Sequence, residues 1–159
     1  MKVEQLMTKE VVSCRPEESL KDAARIMWER DCGFVPITAS PESQRVVGVV
    51  TDRDICMAAY RRGLPLAEIR VGDVMSTAIR MCKPTQDLDA AESILREAHI
   101  HRLPVIGDDD RLLGVISLAD IAREAARNAG VVRRAVTTEE VGTTLAGIRE
   151  PRRIAADTE

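Results

Sequence analysis

Residues 48–54 read Gly-Val-Val-Thr-Asp-Arg-Asp, and residues 114–120 read Gly-Val-Ile-Ser-Leu-Ala-Asp. Both stretches contain a glycine, two apolar residues, a hydroxyl residue and, three positions later, an aspartate. The apolar residues predict a strand, and the hydroxyl residue with its aspartate predicts a helix that begins directly after it. The two copies lie 66 positions apart, which indicates a repeated structural unit.

The repeat extends through both halves of the chain. Upstream of the motif the offset is 68 residues, which aligns Cys14 with Cys82 and Pro36 with Pro104. The two-residue difference falls in a polar stretch that we predict to be a hairpin tip, where changes of length cost little free energy. The repeat is therefore structural.

Each copy predicts the order strand, helix, strand, strand, helix, because period-2 and period-3.6 apolar patterns alternate along it. In the first copy the predicted strands lie at 11–12, 34–38 and 46–50, and the helices at 20–27 and 52–61. In the second copy the strands lie at 79–81, 103–106 and 112–116, and the helices at 88–98 and 118–127. The predicted fold class is α/β (α+β).

Four segments follow from these patterns. Residues 1–62 form the first repeat, 63–72 a linker after the helix-ending Gly63, 73–128 the second repeat, and 129–159 a helical tail. In the tail, Thr138-Glu139-Glu140 is typical of a helix start with a cap and an acidic first turn, ahead of an apolar face made of Val141, Leu145 and Ile148. This helix should stop before Pro151, and residues 152–159 should be frayed.

Composition excludes several classes of protein. The 159 residues carry a net charge of −3 and only three aromatic side chains, Trp28, Phe34 and Tyr60, too few to stack single-stranded nucleic acid. No apolar stretch has the length of a signal peptide or a membrane span, so we expect a cytoplasmic protein. The four cysteines lack CxxC spacing and are expected to be reduced, mostly buried thiols.

Two interpretations of the repeated motif remain open. At the strand–helix junction, free backbone N–H groups can bind an anion, and the hydroxyl and carboxylate can bind a ribose. Alternatively, Thr51 and Ser117 are helix N-caps, and Asp54 and Asp120 are favourable charges in the first helical turn. The presence of the same glycine and the same acid in both copies favours the ligand role.

The repeat order and both Gly-apolar-apolar-Thr/Ser-x-x-Asp motifs resemble the CBS domain family over residues 3–125. The stretch 101–103, His-Arg-Leu, with the motif that follows it, also resembles a repeat of the gamma subunit of AMP-activated kinase. The resemblance implies two β-α-β-β-α repeats packed about a pseudo-twofold axis. It also implies two clefts that bind adenine nucleotides.

The resemblance assigns residues to each cleft. The first cleft would use Thr8, Ser13, Gly33, Phe34, Ser117 and Asp120, with His101 and Arg102 at the phosphates. The second cleft would use Thr51, Asp54, Ser76, Met81 and the segment after His101. Arg53, which aligns with Ala119, either reaches a phosphate or lies in solvent. Since Gly33-Phe34 aligns with His101-Arg102, the two clefts should differ in ligand or affinity.

Other chemistry has less support. His99 and His101 are spaced as on one face of a strand, but no further ligands accompany them, so no metal site is expected. Asp108-Asp109-Asp110 lacks the other residues of a calcium loop and predicts a solvated hairpin tip. No motif of a known catalytic type is present, which makes an enzyme the third choice.

The favoured function is a non-catalytic regulatory module that senses AMP, ADP, ATP or NAD and signals to an unknown effector protein; S-adenosylmethionine shares the same adenosine. The alternative is an interaction or scaffold protein that keeps the fold and binds no nucleotide. The resemblance also implies a homodimer formed through helices. The alanines at 23–24 and 90–91 suit such contacts or the chain's own core.

Overall fold

Each copy of the repeat folds as a β-hairpin with one helix before it and one after it. The computed structural model describes residues 1–127 and 136–149. The strands are β1 (Phe34–Thr38), β2 (Val46–Thr51), β3 (Arg102–Ile106) and β4 (Leu112–Ser117). The helices are α1 (Leu20–Glu29), α2 (Asp52–Arg62), α3 (Leu88–Ala98), α4 (Leu118–Arg127) and α5 (Thr138–Ile148). Short 3-10 turns cover Val3–Gln5, Leu66–Glu68 and Val71–Asp73.

The prediction of a further strand before the first helix of each repeat is wrong. Residues 11–12 and 79–81 form no strand, and pairing is limited to single parallel bridges from Cys14 to β1 and from Cys82 to β3. The physical reason is a turn that begins directly after the bridged residue. In the first repeat the Arg15 carbonyl accepts a hydrogen bond from the Glu18 N–H. Each repeat is therefore a β-β-α unit preceded by a helix.

Each hairpin packs one face against its own two helices, which buries apolar side chains and supplies the main stabilising term. The first helix of each repeat buries one apolar face in these cores. The first core includes Cys14, Leu20, Ala23, Val35, Ile37, Val50 and Ile55. The second includes Cys82, Leu88, Ala91, Leu95, Leu103, Val105, Ile116 and Ile121. Because Ala23 and Ala91 are fully buried here, they serve the chain's own core and are not available to a partner.

The segment that precedes each repeat packs on the other repeat. Val3 is buried in the second core, and Thr8 pairs with Val115 of β4 through two 2.9 Å backbone hydrogen bonds. Likewise Ile69 is buried in the first core, and Ser76 pairs with a residue of β2. These crossing segments, residues 1–8 and 66–76, tie the two repeats together.

The two motif glycines lie under the crossing segments. A Cβ at Gly48 would come within 2.5 Å of Met75 Sδ, and a Cβ at Gly114 within 2.6 Å of the Thr8 carbonyl oxygen. At Gly114 only glycine allows this close approach to a backbone atom, whereas at Gly48 a Cβ would require the Met75 side chain to move. The glycines are therefore explained by packing, and they no longer support the ligand interpretation of the motif.

Helix α5 packs along α3 and α4 on the outer side of the second repeat. Its N-cap is Thr137, one residue before the predicted cap. Ile148 and Thr144 are buried, whereas Leu145 is 43% exposed, so the predicted apolar face is only partly correct. The predictions for Pro151 and residues 152–159 lie outside the described residues.

Candidate functional site

The hydroxyl residue of each motif lies on the face of its hairpin that points away from the helices. Arg102 is directly opposite Ser117 in the β3–β4 register, so both side chains share one face. The adjacent pair, Leu103 and Ile116, is fully buried in the core on the other face. In the first repeat, Phe34 is opposite Thr51 in the same way.

The crossing segments bring another hydroxyl residue to each of these faces. Thr8 pairs with Val115, two residues before Ser117, so Thr8, Arg102 and Ser117 share a sheet face. The equivalent pairing places Ser76 on the face of Thr51. The structure thus brings together Thr8, Arg102 and Ser117 of the first predicted set, and Thr51 and Ser76 of the second.

Each motif acid is hydrogen-bonded to the residue that caps the start of its own helix. Asp54 Oδ2 accepts hydrogen bonds from Thr51 Oγ1 at 2.7 Å and Thr51 N–H at 2.9 Å. Asp120 Oδ2 accepts from Ser117 Oγ at 2.6 Å and Ser117 N–H at 2.9 Å. Each acid therefore forms a capping box with the hydroxyl residue of its motif, as the alternative interpretation of the motif predicted.

Capping boxes also occur where no ligand is expected. At the start of α1, Asp22 Oδ2 accepts from Ser19 Oγ at 2.6 Å, and these hydrogen bonds lower the pKa of Asp22. At the start of α5, Thr137 and Glu140 form a further box. The geometry at Asp54 and Asp120 is therefore compatible with capping alone, and a ligand role depends on what surrounds each acid.

The surroundings of the two acids differ. Asp120 is 9% exposed, and its second oxygen, Oδ1, forms an ion pair with Arg123. The residue that aligns with Arg123 in the first repeat is Met57. Asp54 instead lines a groove of about 500 Å3 along α2, together with Arg61 and other residues. Sequence reasoning missed Arg123, although its spacing of three from Asp120 on a helix was a usable signal.

His101 and Arg102 lie where β3 meets the start of α4. The His101 carbonyl accepts the Leu118 N–H at 3.0 Å, next to Ser117. Burial lowers the pKa of the His101 imidazole, and the charges of Arg149 and Arg102 lower it further. Arg149, at the end of α5, is a site neighbour that sequence reasoning missed, because nothing local connects it to His101.

His99 is not on a strand. It is the C-cap of α3, with a left-handed φ of 54°, and its Nδ1 is 3.3 Å from the Ile148 carbonyl. The prediction that His99 and His101 share a strand face is therefore wrong, because the helix extends to Ala98 and a cap must follow. Within residues 1–127 and 136–149, no three His, Cys, Asp or Glu side chains are grouped to hold a metal ion.

Gly33 and Phe34 lie beside the start of α2. The Gly33 carbonyl accepts the Asp52 N–H at 3.3 Å, and a Cβ at Gly33 would come within 2.5 Å of Asp52 Oδ2. Phe34 is 9% exposed. Arg53 is exposed on the first turn of α2, with its N–H bonded to Asp52 Oδ1.

Ser13 and Met81 lie at the opposite ends of the hairpins from the motif acids. Ser13 Oγ is 3.0 Å from Thr38 Oγ1 at the end of β1, and Met81 precedes the residue that bridges to β3. Ser13 also lines a cavity of about 320 Å3 with Leu112 and Leu113 of β4. This cavity lies between the two repeats, so Ser13 of one repeat faces the other.

The thiols offer no separate chemistry. Cys14 and Cys82 are buried, and burial raises their pKa to about 12 and about 11, which keeps them protonated. Cys56, in contrast to expectation, is exposed. Across the part of the chain that the structure describes, no helix has the length and apolarity needed to cross a bilayer.

The chain is similar to several known proteins. It is 30% identical over 120 residues to the CBS domain-containing protein YhcV of Bacillus subtilis, covering 76% of this chain and 82% of YhcV. The crystal structure of CBSX2 in complex with AMP has a TM-score of 0.70 at 25% identity, covering 80% of this chain and 98% of CBSX2.

A further solved structure shows the same fold at lower identity. The CBS domain pair of MJ0100, in complex with 5′-methylthioadenosine and S-adenosyl-L-methionine, has a TM-score of 0.69 at 21% identity and covers 77% of this chain and 94% of that one. The family model for the CBS domain matches residues 3–61 and 71–127. Because the family model matches both repeats and the fold is that of solved CBS domain pairs, this chain belongs to the CBS domain family.

Proposed function

We propose that this chain is a regulatory module that binds an adenine nucleotide between its two repeats: AMP, ADP, ATP or an adenosine dinucleotide such as NAD. The observation that carries the proposal is the sheet face shared by Thr8, Arg102 and Ser117, next to the start of α4 and to Asp120. Hydroxyls, a cation and helix N–H groups on one face suit a phosphorylated ribose. The complex of CBSX2 with AMP supports an adenosine ligand.

In this proposal Asp120 accepts hydrogen bonds from the ribose hydroxyls, and His101 and Arg102 face the phosphate. This phosphate role is the one that the sequence resemblance of residues 101–103 to a repeat of the gamma subunit of AMP-activated kinase implies. Ser13 completes this cleft from the first repeat, whereas Gly33 and Phe34, which lie beside Thr51 and the start of α2, are assigned to the second cleft. The cavity between Ser13 and β4 supports a contribution from both repeats.

The second cleft uses Thr51 and Asp54, with Ser76 on the same sheet face and Met81 from the second repeat. Arg53 is its one candidate for a phosphate contact, because Gly33-Phe34 replaces the His-Arg pair there. The second cleft should therefore discriminate less strongly for phosphorylated ligands than the first.

We propose no catalytic step for this module. In this proposal residues 1–62 and 73–128 are the two binding halves, and residues 63–72 join them. A cytoplasmic location fits the family's adenosine ligands. Occupancy can signal to an effector only if the ligand prefers one of two arrangements of the halves.

The test is to purify the protein under native conditions and identify released small molecules by mass spectrometry. Thermal unfolding with added AMP, ADP, ATP, NAD and S-adenosylmethionine follows. A ligand at 100 times its Kd stabilises the native state by about 2.7 kcal/mol. No stabilisation by any of them would contradict nucleotide binding.

A second candidate function is a scaffold that binds no nucleotide. The capping boxes favour it, because the same hydrogen bonds at Ser19 and Asp22 need no ligand. Under this alternative the five ligands leave the unfolding temperature unchanged, and the mutations of Asp54 and Asp120 alter stability alone.

We also propose a homodimer through α1 and α2. Trp28 is 88% exposed and Tyr60 is 81% exposed on these helices. Trp28 aligns with Arg96, on which α5 packs closely at Gly147. The equivalent surface of the first repeat has no covering helix within the described residues, and a twofold contact would place each apolar patch against its own copy.

A further inference from the structure

The C-terminal end of α5 lies beside the phosphate end of the first cleft. Ile148 is buried in the core of the second repeat, and its carbonyl oxygen is 3.3 Å from His99 Nδ1. The next residue, Arg149, follows this anchor directly. His99 is two residues before His101, so the end of the tail helix and the start of β3 are neighbours.

The position of this helix end is fixed by packing. Thr144 is buried and donates a hydrogen bond to the buried Glu92 at 3.4 Å. A Cβ on Gly147 would come within 2.5 Å of Arg96 Cγ, so the backbone of α5 lies directly on α3. The Arg149 N–H closes the helix on the Leu145 carbonyl at 3.1 Å. Arg149 is therefore held near His101 by a docked element.

Two arginines lie close to the His101 imidazole. The charges of both Arg102 and Arg149 reach His101 and lower the pKa of its imidazole. Neither arginine forms an ion pair within residues 1–127 and 136–149. The carboxylate of Asp120 is already engaged by Arg123. Cations without an ion-pair partner repel one another and attract an anion.

We propose that His101, Arg102 and Arg149 form an anion site for a phosphoryl group, to which the tail helix contributes the third side chain. The site takes an exposed phosphate monoester or diphosphate, which a guanidinium can bind through two hydrogen bonds. The identity of that anion as the phosphate of a nucleotide rests on the proposed function. The first repeat has no equivalent, because Gly33 and Phe34 replace the basic pair.

The first experiment needs no nucleotide. The chain has two histidines, so His101→Gln identifies the His101 imidazole signal by NMR. Inorganic phosphate should shift that signal saturably in the wild-type protein, and Arg149→Ala should weaken this binding about fivefold to tenfold. The matched control is Arg127→Ala at the far end of α4, about 13 Å along the helix from Leu118. An equal phosphate response in wild type and Arg149→Ala overturns the anion site.

The second experiment titrates AMP and adenosine calorimetrically. Arg149→Ala should weaken AMP about fivefold to tenfold and leave adenosine unchanged, whereas Arg127→Ala should leave both unchanged. Equal loss of AMP and adenosine would overturn the role of Arg149 at a phosphate. If phosphate binds as expected and neither AMP nor adenosine binds, the anion site stands and the proposed nucleotide function fails.

Discussion

Asp54 and Asp120 carry two tasks at the scale of single residues, helix capping and the proposed ribose contact. Asp54→Ala and Asp120→Ala should each remove one binding site and leave the other intact. Loss of charge-assisted hydrogen bonds to a ribose diol costs about 1.5–3 kcal/mol, roughly tenfold to above a hundredfold in affinity. Calorimetric titration with AMP measures both stoichiometry and affinity.

The matched control for both mutants is Asp22→Ala, which removes the same kind of capping box from α1. All three mutants should lose about 1 kcal/mol of stability with the cap. Only the two motif mutants should lose ligand. Unchanged AMP stoichiometry and affinity in Asp54→Ala and Asp120→Ala would show that these acids only cap their helices.

Arg102 gives a second prediction at this scale, because it shares a sheet face with Ser117 and lies beside the start of α4. Arg102→Ala should weaken AMP far more than adenosine, by about tenfold, since the uncharged nucleoside offers the guanidinium no ionic partner. Higher salt should reproduce part of this loss. If AMP and adenosine weaken equally at two salt concentrations, Arg102 only packs its stem on the surface.

The crossing segments make a prediction at the scale of elements. Gly114→Ala would push a Cβ against the Thr8 backbone carbonyl, whereas Gly48→Ala would meet the flexible Met75 side chain. Gly114→Ala should therefore destabilise the fold by about 1–3 kcal/mol, and Gly48→Ala by less. Urea unfolding measures both. A larger loss for Gly48→Ala would show that Met75 cannot move aside.

The contact between α3 and α5 contains a buried carboxylate, Glu92. Its pKa is raised above 4.5 by burial first and then by the charges of Glu140 and Asp89, while the Thr144 hydrogen bond and Arg96 lower it. The folded state therefore binds this proton more tightly than the unfolded state. Its contribution to stability is present at low pH and is lost as the pH rises from 4.5 through the raised value.

Glu92→Gln should remove that pH dependence. At neutral pH the mutant should melt roughly 2–4 °C above the wild type, the shift that about 1 kcal/mol produces in a domain of this size. Thermal unfolding of both proteins between pH 4 and pH 8 is the measurement, with Glu97→Gln on the exposed side of α3 as the control. A lower melting temperature for Glu92→Gln at neutral pH would show that the carboxylate's bond to Thr144 outweighs its burial.

At the scale of the whole molecule, helix α5 covers the second repeat, and no helix within residues 1–127 and 136–149 covers the equivalent surface of the first repeat. Trp28→Glu should therefore convert the proposed dimer to a monomer, because a charge would be buried in an apolar contact. Analytical ultracentrifugation measures this, and Leu145→Glu on α5 is the control at an apolar residue that is 43% exposed. A monomeric wild type, or a dimer that persists in Trp28→Glu, would contradict a dimer interface on α1 and α2.

The sequence by itself determined the repeat, both hairpins, the helices and the capped starts of α2 and α4. These features depend on local patterns: apolar periodicity, turn residues and a hydroxyl residue three positions before a carboxylate. Two local predictions failed for a local reason. Residues 11–12 form no strand, because the turn at Arg15 limits pairing with β1 to the bridge at Cys14. His99 is the C-cap of α3 and therefore lies outside β3.

The tertiary structure alone decided which distant residues meet. Thr8 pairs with β4 and Ser76 with β2 because each crossing segment packs on the opposite repeat, and nothing near Thr8 in sequence encodes that. Arg149 approaches His101 because Ile148 is buried against the second repeat, 47 positions after His101 in the chain. Contacts of this kind arise from burial of apolar surface, which is non-directional and leaves little pattern in the local sequence.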